Sequence, residues 1–131
     1  MATITRFSAA DGPSVEGYAQ AIRVTGATDW LFVSGQVPVR ADGTVPDTPE
    51  EQTRLVFANL EAQLRAAGFG FGDVVKLTIL AASRDLGPRL LPIAAEAMGG
   101  PLPALTGIVC EQYDPSWHLE VEAIAARGSG A

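Results

Sequence analysis

Only two segments of this chain have the periodicity of an amphipathic helix, and that number limits the folds open to it. Over residues 49–67, apolar residues recur at spacings of three and four. Thr48 and Pro49 favour a helix start just before this window, and Gly68 favours a stop just after it. The same spacing predicts a second helix that starts at about Asp85 or Pro88 and ends at Met98. Two such helices cover one face of a sheet, and the other face then needs a different cover.

The remaining apolar segments are short and rich in β-branched residues, which predicts strands. They span residues 3–7, 19–25, 30–34, 74–81, 105–111 and 117–125. The linker 26–29 predicts a hairpin between the second and third of them. The resulting order, β-β-β-α-β-α-β-β, predicts an α+β fold with a mixed sheet covered on one face by two helices. We expect a single domain over residues 1–127 and a disordered tail over 128–131.

The chain contains more apolar residues than a small monomer can bury in its own core. Residues of the AVILMFWYC set make up 47% of the 131 residues, whereas charged residues make up 18%. A domain of this size hides roughly 70% of its unfolded surface when it folds alone. We therefore expect part of the apolar surface to be buried between copies of the chain.

Charge and cysteine content exclude several classes of function. The net charge of −6 repels nucleic-acid phosphates and anionic lipid. The single cysteine, Cys110, permits no internal disulfide and no zinc-binding cysteine cluster, as is typical of a reducing compartment. The N-terminus has no signal-peptide pattern, and no apolar run approaches the ~18 residues of a membrane helix. We expect a cytoplasmic protein that binds neither nucleic acid nor membrane.

No motif predicts a metal or a cofactor. The glycine cluster 68–72 precedes a predicted strand and lacks the Lys-Ser/Thr ending of a phosphate loop. His118, Glu120 and Glu122 alternate along a predicted strand, so they share one face. Side chains on one strand face point in parallel instead of converging on an ion, which disfavours a metal site.

A series of short strings, spread in order over nearly the whole chain, resembles the Rid (YjgF) family of reactive-intermediate deaminases. The strings lie at 17–21, 31–38, 51–53, 59–60, 66–68, 73–76 and 119–125. The resemblance implies a chorismate-mutase-like subunit, a homotrimer, and clefts between subunits that bind a small metabolite.

The resemblance also implies roles for five residues. Glu120 matches the acidic residue that positions the attacking water, and Tyr18 matches an aromatic residue at the mouth of the cleft. Gly35 is expected to bring the backbone close to the ligand. Leu105 stands where active deaminases have an arginine that grips the substrate carboxylate. Gly107 stands where the family often has a cysteine.

Leu105 is the departure that matters most, because leucine cannot replace the bidentate contact of a guanidinium with a carboxylate. The sequence therefore favours a Rid-like enzyme acting on imine- or enamine-type compounds, but not a standard 2-iminoacid deaminase. The alternative is a non-catalytic trimer that binds a ligand or a partner. Arg54 and Arg89 are candidates for a replacement cation. Ribonuclease activity is disfavoured by the charge and the single histidine.

Overall fold

A computed structural model describes residues 1–128, which contain two α-helices, one 3-10 turn and seven strands. The strands are β1 (Thr3–Phe7), β2 (Tyr18–Ala19), β3 (Ala21–Thr25), β4 (Asp29–Gln36), β5 (Val74–Ala81), β6 (Leu102–Val109) and β7 (Leu119–Arg127). The helices are α1 (Pro49–Ala66) and α2 (Leu86–Met98), and the 3-10 turn spans Phe71–Asp73. The α+β class and both helices are confirmed.

The strands form a five-stranded mixed sheet in the order β2-β6-β5-β7-β4 and a separate two-stranded pair of β1 and β3. Strand β6 pairs in parallel with β2 and with β5, whereas β7 pairs antiparallel with β5 and with β4. The predicted hairpin at 26–29 is wrong, because β3 pairs with β1 and β4 pairs with β7. The predicted strand 19–25 is split at Gln20, since Tyr18–Ala19 joins β6 instead.

Local sequence signals explain the ends of both helices. The Thr48 hydroxyl accepts a hydrogen bond from the Glu51 backbone N–H at 3.1 Å, which caps α1. Gly68, just beyond α1, has a φ of 81°, and Gly99, at the end of α2, has a φ of 82°. Glycine adopts this left-handed conformation without a steric cost, so both glycines end their helices where the sequence predicts.

The core lies between the two helices and one face of the five-stranded sheet. From α1 it receives Val56, Phe57, Leu60 and Leu64, each at most 1% exposed. From β7 it receives every second residue, namely Leu119, Val121, Ala123 and Ala125. The alternation predicted for this strand is therefore confirmed.

A buried glutamine fastens α1 to the segment that leads into β7. Gln52 is 1% exposed, and its Nε2 donates to the carbonyl oxygens of Pro46 at 2.9 Å and Ser116 at 2.8 Å. Its Oε1 accepts the backbone N–H of His118 at 2.7 Å. One side chain thus satisfies three backbone groups, and it fixes the position from which β7 begins.

The C-terminal end differs in part from the sequence expectation. Gly128 is buried beside the backbone of Met1 and Ala2, although the predicted tail began there. The rest of that tail, residues 129–131, lies outside the described residues, so the tail and the single-domain boundary stay predictions. Within residues 1–128 no helix is long and apolar enough to cross a membrane.

Replacing Gln52 with alanine is expected to lower the free energy of unfolding by about 2–3 kcal/mol, because it leaves buried backbone groups without partners. Gln63→Ala is the matched control, since Gln63 is exposed on the same helix, and we expect it to change stability by less than about 0.5 kcal/mol. Chemical denaturation measures both. Equal losses in the two variants would contradict the role given to Gln52.

Candidate active site

The sheet surface opposite the helices, called the open face below, carries Glu120. Alternate residues of the longer strands form it, among them Trp30, Phe32, Lys76, Thr78, Leu80, Thr106, Ile108, Glu120, Glu122 and Ile124. Glu120 pairs with Leu80 of β5 and is half-buried, whereas Glu122 pairs with Thr78 and is exposed. Of the two carboxylates, Glu120 is the one partly shielded from water.

A bulge in β4 allows the Glu120 carboxylate to lie directly against the backbone of β4. Between Val33 and Gln36, β4 has one residue more than the facing stretch of β7, and Gly35 lies in this irregular stretch. A Cβ atom at Gly35 would collide with the Glu120 carboxylate. The glycine is therefore required by the close approach of Glu120, as glycines in irregular strands often are.

The segment that follows Gly35 is fastened to α1 by a second amide. Nδ2 of Asn59 donates to the carbonyl oxygens of Val37 at 3.0 Å and Val39 at 3.1 Å. Asn59 lies two helical turns after Gln52, so both amides project from similar sides of α1. The strands that carry Gly35 and Glu120 are thus both positioned by the same helix.

A cavity of about 340 Å³, called the β6 cavity below, lies between β6 and the start of α2. Tyr18, Leu105 and Gly107 line it together with Leu91 of α2. Strand β2 covers only the first part of β6, so the outer edge of the later residues has no strand partner within residues 1–128. The predicted ligand-contacting residues of β2 and β6 are therefore brought together at an open sheet edge.

Within one chain, the structure does not unite the two parts of the predicted site. Leu105 pairs with Leu77 and packs against the core, so it belongs to the helix-covered face. Glu120 and Gly35 lie together at the open face. The carboxylate lies on the open face, whereas most β6 residues that line the cavity lie on the helix-covered side. They are called the two half-sites of the candidate site below.

Neither arginine suggested as a replacement cation lines the β6 cavity. The Nε and Nη2 atoms of Arg89 donate to the two carboxylate oxygens of Glu50 at 3.0 and 3.2 Å, and Nη1 lies 3.8 Å from Asp85. The pKa of the Glu50 carboxyl is lowered mainly by a hydrogen bond from the Glu50 backbone N–H and next by the hydrogen bonds from Arg89. Arg54 is exposed on α1. Arg89 is therefore engaged in joining the two helices.

Sequence reasoning missed Arg84, which does line the β6 cavity. Arg84 is exposed and lies in the connection between β5 and α2. Strands β5 and β6 are parallel and joined by α2, and ligands of such units often bind beyond the carboxyl ends of the strands. A basic residue between a strand and the helix that follows it is therefore the sequence signal that could have identified Arg84.

Two other polar residues of the open face, Lys76 and Thr106, are engaged with each other. The Lys76 ammonium donates to the Thr106 hydroxyl at 2.7 Å, which joins β5 to β6. In the part of the chain that the structure describes, no three His, Cys, Asp or Glu side chains are arranged to hold a metal ion. The features that the candidate site offers are thus the Glu120 carboxylate and the β6 cavity.

These features define a small α+β fold with a carboxylate on an uncovered sheet face and a largely apolar cavity at the sheet edge. The family model described as Endoribonuclease L-PSP matches residues 9–127. The chain belongs to this family, which includes the Rid (YjgF) proteins. The resemblance noted in the sequence is thereby confirmed.

Individual relatives match over most of their length. A RutC family protein of Pyrococcus horikoshii is 32% identical over 110 residues, which are 82% of this chain and 85% of that protein. The 2-iminobutanoate/2-iminopropanoate deaminase of Mus musculus is 32% identical over 126 residues, or 95% of this chain and 88% of the deaminase. A Rid-family protein of unknown function from Yersinia pestis has a TM-score of 0.82 at 27% identity, covering 95% of this chain and 98% of that one. These similarities confirm the fold class.

Gly35→Ala is expected to displace the Glu120 carboxylate without unfolding the chain. The atoms that the new methyl group meets belong to a flexible side chain, so Glu120 turns away and the unfolding free energy changes by no more than about 1 kcal/mol. Gly72→Ala is the control, because a methyl group there meets open space. Crystal structures of both variants check the prediction, and an unmoved Glu120 in Gly35→Ala would refute it.

Proposed function

We propose that this chain is a Rid-like enzyme that hydrolyses imine or enamine derivatives of small metabolites. The observation that carries the proposal is the Glu120 carboxylate, half-buried on the backbone of Gly35. Family membership supports the reaction class, since the mouse relative is named a deaminase of 2-imino acids. A carboxylate held in this way is suited to orient and deprotonate a water molecule.

Acid–base chemistry by one carboxylate accounts for the whole reaction. Glu120 accepts a proton as the water oxygen bonds to the imine carbon, which forms a carbinolamine. With the imine nitrogen protonated at the outset, Glu120 returns this proton to the carbinolamine nitrogen and takes up the hydroxyl proton as the C–N bond breaks, so a carbonyl compound and ammonia leave. The ammonia then takes that last proton from Glu120, which restores the carboxylate. One water is consumed for each ammonia released, so the proposal needs neither a metal nor a cofactor. We place this reaction in the cytoplasm, which the free Cys110 thiol supports.

The two half-sites support a cleft between copies of the chain. Large apolar side chains on or beside the open face remain exposed in one chain: Phe32 by 73%, Trp30 by 48% and Ile108 by 44%. A second copy that covers such residues gains roughly 25 cal/mol for each Å² of apolar surface removed from water. We propose a homotrimer in which the Glu120 of one copy faces the β6 cavity of another.

The β6 cavity supports a substrate other than a standard 2-imino acid. Leu105 offers no hydrogen-bond donor, and a carboxylate placed against it would lose hydration without gaining a partner. The same residue favours the second candidate function, a non-catalytic trimer that binds a ligand or a partner. Turnover separates the two candidates, because only the enzyme requires the Glu120 carboxylate.

Light scattering at micromolar concentration is expected to report three times the chain mass of 13.7 kDa. Phe32→Lys should weaken this assembly, because it places a charge on the open face. Tyr113→Lys is the control, since Tyr113 is 98% exposed and lies outside the strands. A monomeric wild-type chain would exclude a cleft between subunits.

Glu120→Gln is expected to reduce ammonia release at least a hundredfold, because an amide does not accept a proton from water. The assay supplies imines generated in situ by oxidation of primary amines that carry no 2-carboxylate. Glu122→Gln is the matched control on the same strand and face, and it should retain the wild-type rate. Absence of turnover by the wild-type chain would favour the non-catalytic trimer, and full activity of Glu120→Gln would exclude the proposed role.

A further inference from the structure

The β6 cavity has one charged residue among the residues that line it. Leu91, Leu105, Ile79 and Val109 give most of the wall an apolar character, whereas Arg84 contributes a guanidinium. No ion pair joins Arg84 to another residue of the described chain. Its charge is therefore available to a ligand, unlike that of Arg89.

The register of the sheet separates Arg84 from Leu105 along the cavity. Leu105 pairs with Leu77, and Val109 pairs with Ala81 at the carboxyl end of β5. Four residues of β6 at about 3.3 Å each place these two levels roughly 13 Å apart. Arg84 follows Ala81 by three residues, so its backbone lies near the Val109 end. Leu105 and the backbone of Arg84 thus lie toward opposite ends of the cavity.

We propose that the β6 cavity binds small amphiphilic anions, with the anionic group at Arg84 and an apolar chain of several carbons along Leu91 and Leu105. The inference rests on the proposed function only in assigning this cavity to the substrate. It defines the substrate class as imines or enamines whose anionic group is separated from the reacting carbon by an apolar chain. A two- or three-carbon 2-imino acid is too short to contact both ends.

Because the net charge of the chain is negative, an anionic ligand needs a cation in direct contact with it. At −6 the molecule as a whole repels anions, but exposed charges more than about 8 Å away are largely screened at physiological ionic strength. A guanidinium in direct contact with the ligand is not screened in this way, and it forms charge-assisted hydrogen bonds with carboxylate or phosphate oxygens. Arg84 therefore determines whether an anionic ligand is accepted.

Binding to the full-length chain tests the proposal without requiring turnover. The probes are hexanoate, its neutral analogue hexanamide, hexyl phosphate and pyruvate, each titrated by calorimetry or NMR. We expect the wild-type chain to bind hexanoate about tenfold more tightly than hexanamide, and pyruvate more weakly than either. Hexyl phosphate shows whether the anionic group preferred at Arg84 is a carboxylate or a phosphate.

Arg84→Gln is expected to abolish the preference for hexanoate over hexanamide and to leave hexanamide binding unchanged. Arg54→Gln is the matched control, because it removes an exposed arginine outside the cavity. A preference that survives Arg84→Gln, equal binding of hexanoate and hexanamide by the wild-type chain, or no binding of any probe would overturn the inference. So would pyruvate binding as tight as that of hexanoate.

The failure of this inference is distinguishable from the failure of the proposed function. Binding of hexanoate and hexanamide tests the cavity assignment, whereas ammonia release tests the reaction. A wild-type chain that shows the Arg84-dependent preference but releases no ammonia supports the cavity assignment and refutes the enzyme. A chain that releases ammonia equally from anionic and neutral imines, with no effect of Arg84→Gln, supports the enzyme and refutes the cavity assignment.

Discussion

The site depends on one constraint, which is that α1 and α2 cover the same face of the five-stranded sheet. The alternation of β7 follows from it, since Leu119, Val121 and Ala123 are taken out of water while Glu120 and Glu122 are not. A slip of one residue would exchange the two sets. The slip would expose apolar side chains, and burial of a large one contributes about 1.5–3 kcal/mol to folding. It would also bury carboxylates without partners. The hydrophobic core therefore holds Glu120 at the open face.

The position of Glu120 within that face depends on hydrogen bonds from α1. Gln52 holds the segment before β7, and Asn59 holds the segment after the bulge at Gly35. Because both amides belong to one rigid helix, the carboxylate and the glycine beneath it are placed by the same element. A backbone fixed in this way before a ligand arrives loses less entropy when the ligand binds.

The parts of this structure that the sequence predicts are those with a local cause. The Thr48 cap, the glycine after α1 and the alternation of β7 are each recognisable within a few residues. The partner of β3 was predicted wrongly, because the short linker at 26–29 resembles a hairpin and the competing strand, β1, is distant in sequence. Arg84 was missed for a similar reason, since only the parallel pairing of β5 and β6 places it at the cavity.

The separation of the two half-sites would allow the proposed enzyme to differ in specificity without a change in its proposed chemistry. A different residue at Leu105 alters the cavity wall, but it touches neither the bulge at Gly35 nor the hydrogen bonds of Gln52. Under the function we propose, leucine in place of an arginine at position 105 removes one contact with a substrate carboxylate and leaves the Glu120 half-site unchanged. In that proposal, water activation at Glu120 serves substrates whose anionic group binds elsewhere, and Arg84, which lines the same cavity, is the contact that we propose for it.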